Sequence, residues 1–148
     1  MILVKHVLAD ARKRLVVVNQ EASIFDAATV LANRSTPLAL VCDSEGIVLG
    51  VISQSHVVNA LATARADALN LNAGAIMSKP LLSCHDEDPL QGIWSVMNAQ
   101  ALPCAPIVDK DGRAQGILHA RDVAIALIDE GIYEEGLLRD YVMGIGYQ

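Results

Sequence analysis

Aromatic side chains are almost missing from this chain. One Trp, three Tyr and one Phe make up 3% of its 148 residues. A core must therefore be built from Ala, Val, Leu and Ile, and the scarcity of rings argues against a surface that stacks nucleic-acid bases. Positive charge is short as well: 11 Lys and Arg stand against 17 Asp and Glu, for a net charge of −6. Nucleic acid and anionic membranes both require a basic footprint, so neither is expected as a partner. A small anionic ligand in a locally basic pocket stays compatible with that balance. The charge is uneven. Lys5, Arg12, Lys13 and Arg14 lie near the start, while Asp129, Glu130, Glu134, Glu135 and Asp140 crowd the end. Both groups read as solvated faces.

Metal and redox signals are lacking too. Cys42, Cys84 and Cys104 are too few and too far apart for a disulfide framework or a Cys-x-x-Cys site, and an odd count suits a reducing compartment. All three fall in predicted strands and read as small core residues. His6, His56, His85 and His119 show no metal-ligand spacing, so no metal is expected. The first residues lack a secretory pattern. The longest uncharged stretch, 46–64, carries Ser53, Gln54, Ser55, His56 and Asn59 in its middle, which argues against membrane insertion. A cytoplasmic protein is expected. What the chain has in plenty is apolar residues, 53% of the total, which excludes disorder. A chain of this length buries roughly 68–70% of its unfolded surface, enough for a core without staples.

The dominant signal is a repeat. Shifting the sequence by 66 residues aligns residues 16–62 with 82–128 without a gap, giving 10 identities in 47 positions. Among them are Pro37/Pro103, Asp43/Asp109, Gly46/Gly112, Gly50/Gly116 and Leu61/Leu127. Ile24/Leu90, Leu31/Met97, Val41/Ile107, Val51/Ile117 and Ile52/Leu118 conserve apolar character between the copies. Each copy reads as β-α-β-β-α. Short apolar runs at 15–18 and 81–84 predict strands, and helical spacing predicts helices at 24–33 and 90–99. Ser23 with Asp26, and Asp88 with Pro89 and Gln91, supply helix-start signals, Asp88 being the expected N-cap. Hairpins follow at 38–52 and 105–118, each turning through Asp-x-x-Gly. Second helices are expected at about 55–64 and 120–129. The largely apolar hairpins suggest sheets with helices on one face and the sister copy on the other. Residues 63–75 read as a linker in which Ala66–Leu71 could extend a helix, and 132–143 as a final amphipathic helix. Trp94 reads as core.

These doubled residues resemble a known family. The segment from Ala105 through Gly112, Gly116 and His119 to Val123 is similar to the signature of cystathionine-β-synthase (CBS) domains, and the segment Leu40 to Ser53 is similar to the same signature. Ile76-Met77 matches the usual lead-in, with Val7-Leu8 as its counterpart. The resemblance implies an α/β (α+β) fold of two repeats, residues 1–68 and 69–148, packed sheet to sheet with pseudo-twofold symmetry plus a C-terminal helix. It also implies a homodimer, clefts that take AMP, ADP or ATP and less readily NAD or S-adenosylmethionine, and regulation of a separate protein target.

The family's nucleotide motif is Gly, two apolar residues, Ser or Thr, two variable residues, then Asp. The hydroxyl and the next helix start present donors to phosphate, and the Asp accepts from ribose hydroxyls. The first copy keeps Ser53 but has His56 in the Asp position; the second keeps Asp122 but has His119 in the hydroxyl position. In the second copy Asp122 is expected to take the ribose, with Arg121 and His119 meeting phosphate and Ser83 and Pro106 bordering the adenine by family analogy. Ser53 and His56 are the first-copy candidates. Ser53 and His56 show no third orienting group, so a nucleophile is not expected, and the chain does not read as an enzyme. The competing reading is a degenerate, ligand-free dimerisation or docking module.

Overall fold

The computed structural model describes residues 1–34 and 36–131. A 3-10 turn at Val4–Val7 leads into α1 (Leu8–Lys13). The first repeat then runs β1 (Val17–Asn19), α2 (Ile24–Arg34), β2 (Ala39–Cys42), β3 (Val48–Ile52) and α3 (Gln54–Ala64). A 3-10 turn (Arg65–Asn70) and α4 (Ala73–Ile76) follow, so the stretch expected as a linker is mostly ordered turns. The second repeat contributes α5 (Leu90–Ala99), β4 (Cys104–Val108), β5 (Ala114–His119) and α6 (Ala120–Asp129). The helix expected at 132–143 lies outside the described residues.

Two local expectations need correction. The first run forms a strand shifted to Val17–Asn19, and the run at 81–84 forms no strand, only a single parallel bridge between Cys84 and Ile107. The reason is Pro106. In the first repeat Leu40 N–H donates to Val16 O at 2.8 Å, which helps to tie β1 to β2. The equivalent residue of the second repeat is Pro106, which has no N–H to donate. The pairing shrinks to Cys84 N–H with Pro106 O and Val108 N–H with Cys84 O, each 2.9 Å. The second correction is at the start of α5. Pro89, not Asp88, takes the N-cap position, with φ −64° and ψ 125°. Asp88 instead accepts from His85 N–H at 2.9 Å and closes the preceding turn. Ser23 does cap α2, accepting from Asp26 N–H at 3.0 Å.

Each sheet is sandwiched. Every residue of β2 is buried, and the period of two divides them. Ala39 and Val41 join Ile24, Leu31, Ile52 and Val57 in the first helix-side core. Leu40 and Cys42 point the other way and meet Val51, Cys104 and Ile117 at the seam between the repeats. In the second repeat Ala105, Ile107 and Leu118 pack with Leu90, Trp94 and Leu127.

The seam has an approximate twofold axis, visible in the hydrogen bonds. Asp43 Oδ1 accepts from Glu45 and Ile47 N–H at 2.8 and 3.0 Å, and Asp109 Oδ1 accepts from Asp111 and Arg113 N–H at 2.8 and 2.9 Å. Gly46 and Gly112 complete the turns at φ +82° and +86°, where a side chain would be strained. The two tips then pair with each other. Val48 N–H donates to Gly112 O at 2.9 Å, and its counterpart Ala114 N–H donates to Gly46 O at 3.1 Å. Ile47 and Arg113, also 66 apart, form the antiparallel bridge between them.

The lead-in segments are exchanged across this axis. Val4, Val7 and Ala11 pack in the core of the second repeat, while Ala73, Ile76 and Met77 pack against the first. The glycines of β3 and β5 admit them. A Cβ on Gly50 would meet Met77 Sδ at 2.6 Å and Ser78 O at 2.8 Å; one on Gly116 would meet the Ala11 carbonyl carbon at 2.9 Å. Val4/Ala73 and Val7/Ile76 are offset by 69 and Ala11/Met77 by 66, so the first lead-in is three residues longer. We expect Gly50→Ala and Gly116→Ala each to lose about 1–3 kcal/mol of stability in urea unfolding, because backbone must shift to admit the methyl group. Gly92→Ala, with nothing within 4 Å in the first turn of α5, should instead be neutral or gain up to about 1 kcal/mol.

Candidate functional site

The seam leaves a cavity of about 200 Å³ walled by both repeats. Pro37, Leu38, Val51 and Ser53 come from the first repeat, and Leu102, Pro103, Cys104 and Pro106 from the second. Ser78, Lys79, Pro80, Leu81 and Leu82, from the segment after α4, form the remaining wall. The lining is mostly apolar, with two hydroxyls and one ammonium as its polar groups.

His56 braces one side of this cavity. Its Nδ1 lies 3.0 Å from Ser53 N and 2.7 Å from Ser53 Oγ, and its Nε2 lies 2.8 Å from Ser78 Oγ. A backbone N–H can only donate, so Nδ1 carries the lone pair and Nε2 carries the proton. The neutral ring therefore accepts from Ser53 and donates to Ser78. His56 replaces the carboxylate of the motif with a fixed link between the start of α3 and the segment after α4.

The equivalent place in the second repeat is built differently. Asp122 accepts from Arg14 Nε at 2.7 Å and from the Arg14 terminal nitrogen at 3.2 Å, so both carboxylate oxygens are engaged. The Asp122 side chain is 18% exposed and that of Arg14 43%. Arg14 corresponds to Pro80 in the other copy, and Asp122 to His56. Three residues before Asp122, His119 precedes α6, and its Nε2 is buried with no hydrogen-bond partner among the described residues. Arg121 lies beside Asp122 on the exposed side of α6.

The candidate residues thus separate. Ser53 and Pro106, assigned from sequence to different copies' sites, line one cavity, while exposed Ser83 is not part of its lining. His119 and Asp122 sit together at the start of α6. Ser78, Lys79 and Arg14 were missed. Arg14 belongs to the basic cluster read as a solvated face, and its one visible signal is that it occupies the place of Pro80 at the end of an exchanged lead-in. Burial pushes the thiols of Cys42 and Cys104 up to about 11 and that of Cys84 to about 12, as suits packing residues. Among the described residues no group of three His, Cys, Asp or Glu could hold a metal ion, and no helix is long and apolar enough to cross a membrane.

Burial lowers the pKa of His56 below its ordinary 6.5. It lowers that of His119 as well, with Arg14 adding to the effect and Asp122 opposing it. The folded chain therefore prefers both rings neutral, while the unfolded chain takes up protons as pH falls through about 6.5. Stability is full above that point and declines as pH drops from 6.5 toward the lowered folded values. Asp109, held below 3.8 chiefly by the Arg113 N–H, titrates under this window. The urea midpoint should be lower at about pH 5.5 than at about pH 7.5, and His56→Gln should flatten that difference.

Comparison with known proteins agrees with this geometry. The CBS domain family profile matches twice, at residues 4–63 and 73–129. A curated relative, an uncharacterized 17.7 kDa protein from Acidianus ambivalens, is 24% identical over 92% of this chain and 81% of its own length. The L-aspartate semialdehyde sulfurtransferase of Methanocaldococcus jannaschii is 24% identical over 82% of this chain, but the match spans only 22% of that enzyme. Among solved structures, CBSX2 in complex with AMP superposes with a TM-score of 0.74 at 22% identity, covering 88% of this chain and 99% of that one. The CBS domain pair of protein MJ0100, in complex with 5′-methylthioadenosine and S-adenosyl-L-methionine, gives 0.70 at 22%, covering 90% and 99%. The CBS-domain protein ATU1752 from Agrobacterium tumefaciens gives 0.70 at 26%, covering 84% and 98%. With two profile matches, two exchanged lead-ins and one pseudo-twofold seam, the chain belongs to the CBS domain family as a tandem pair.

Proposed function

We propose that this chain is a regulatory module that takes up an adenine-containing ligand between its repeats and passes the bound state to a separate protein. The carrying observation is the cavity whose walls come from both repeats and from the segment between them. Val51, Leu82 and Pro106 offer an apolar slot of the kind a purine fills, and Ser53, Ser78 and Lys79 offer donors suited to phosphate. The start of α3, next to Ser53, adds the positive end of a helix dipole. The ligands in CBSX2 and MJ0100 (AMP, 5′-methylthioadenosine and S-adenosylmethionine) share an adenosine unit, which supports the same class here. AMP, ADP or ATP suit Lys79 better than NAD or S-adenosylmethionine. The module works as a cytoplasmic homodimer and is not itself an enzyme.

The mechanism is a population shift. A ligand that touches both repeats favours one relative orientation by its differential affinity for it. The exchanged lead-ins, each anchored on the opposite repeat, carry that orientation to the surface.

Calorimetric titration with AMP, ADP, ATP, NAD and S-adenosylmethionine tests the reading. We expect saturable binding of at least one adenosine nucleotide. Lys79 is exposed, so Lys79→Glu should leave the fold intact while weakening nucleotide binding about tenfold or more, the size of one charge-assisted hydrogen bond. Silence across the whole set would favour a ligand-free docking module.

A further inference from the structure

We infer that residues 79–83 form a strap that opens to admit the adenine-containing ligand and closes over it, with Leu81 as the side chain that covers the bound base. This rests on the ligand reading above and deepens it, since it names the moving wall of the same cavity.

The size of the cavity requires that something move. It encloses about 200 Å³, whereas pockets that hold small molecules and cofactors span roughly 300–1,000 Å³. Most of its walls are fixed. Val51 and Cys104 are buried at the seam, on β3 and β4, each laddered to a neighbouring strand. Leu38 N–H donates to Thr36 Oγ1, Leu102 N–H to Met97 O, and Pro103 O accepts from Ala120 N–H. Ser78 exchanges two backbone hydrogen bonds with Val51, at 2.8 and 3.0 Å, and its hydroxyl meets His56 Nε2. Farther along, Cys84 is held on β4 by Pro106 O and Val108 N–H. Between these two anchors lie Lys79, Pro80, Leu81, Leu82 and Ser83. None of the five makes a backbone hydrogen bond among the described residues, yet the first four line the cavity. The wall free to move is this one.

The same place in the first repeat, residues 13–17, is tied down. Arg14 N–H donates to Ala11 O, Leu15 N–H to Arg12 O, and Val16 O accepts from Leu40 N–H, at 3.2, 3.1 and 2.8 Å. Pro106 stands where Leu40 stands and has no N–H for Leu82 O, so the strap lacks its ladder bond. Leu81 lines the cavity and is nevertheless 74% exposed. An apolar side chain held at the mouth in this way gains burial when a flat base fills the space beneath it. A base against Val51 and Pro106 leaves its outer face to Leu81, and closure carries Lys79 inward with the strap.

The test is residue-resolved amide exchange on the full chain, alone and saturated with each of AMP, ADP, ATP, NAD and S-adenosylmethionine that binds in calorimetry. Without ligand, the amides of Lys79, Leu81, Leu82 and Ser83 should exchange as an open loop does, between slow amides at Ser78 and Cys84. Bound ligand should slow the strap amides about tenfold or more. Leu81→Ser should keep the wild-type urea midpoint and weaken binding about tenfold or more, the size of burying one leucine side chain. Strap amides as slow as those of Ser78 and Cys84 without ligand, or unchanged when a ligand is bound, overturn the strap and leave the nucleotide reading standing. Unchanged affinity in Leu81→Ser overturns the covering role of Leu81 and likewise leaves that reading standing. Silence of all five ligands in calorimetry overturns the nucleotide reading and this inference with it.

Discussion

The structure depends on the burial of two sheet faces against each other. Leu40 and Ile117 are fully buried at that seam, together with Cys42, Val51 and Cys104. Neither half could leave these faces in water, since each repeat spends only one side of its sheet on its own helices. The backbone then fixes the alignment. The exchange of hydrogen bonds between Val48 and Gly112, and between Ala114 and Gly46, sets one register for the pair. The cavity walled by both repeats lies along this seam, with Val51 and Cys104 shared between the two.

Pseudo-symmetry makes the departures from it informative. The two copies share a plan, yet each cleft replaces a different part of the nucleotide motif. In one, His56 ties Ser53 to Ser78 through a neutral ring. In the other, Arg14 ties α1 to α6 through Asp122. Both devices join the start of a helix to the segment delivered by the opposite lead-in, one by neutral hydrogen bonds and one by charge. The two equivalent places thereby carry different chemistry. Pro106 shows the same divergence at backbone level: it removes one ladder donor and supplies an apolar wall to the cavity.

Much of this could be read from the residues alone. The repeat, the Asp-x-x-Gly hairpins and the helix boundaries at 90–99 and 120–129 follow from local chemistry, because turn capping and helical periodicity act over a few residues. The packing of sheet on sheet was legible in hairpins that are apolar on both faces. The strand expected at 81–84 was not, because its loss depends on a missing donor 22 residues away at Pro106. The site was harder still. Arg14 and Asp122 are 108 residues apart, and Ser78 is 22 from His56, so their meeting is a product of the exchanged lead-ins. A motif reads one stretch of chain, whereas these clefts are completed by another.

The most direct check on this architecture is amide hydrogen exchange, resolved by residue, at the two hairpin tips. If the repeats clasp as described, the amides of Val48 and Ala114 exchange slowly, in the class of the central strands and at rates similar to each other. Exchange at the rate of open turns at both positions would mean that the tips do not pair, and that the seam framing both clefts is absent.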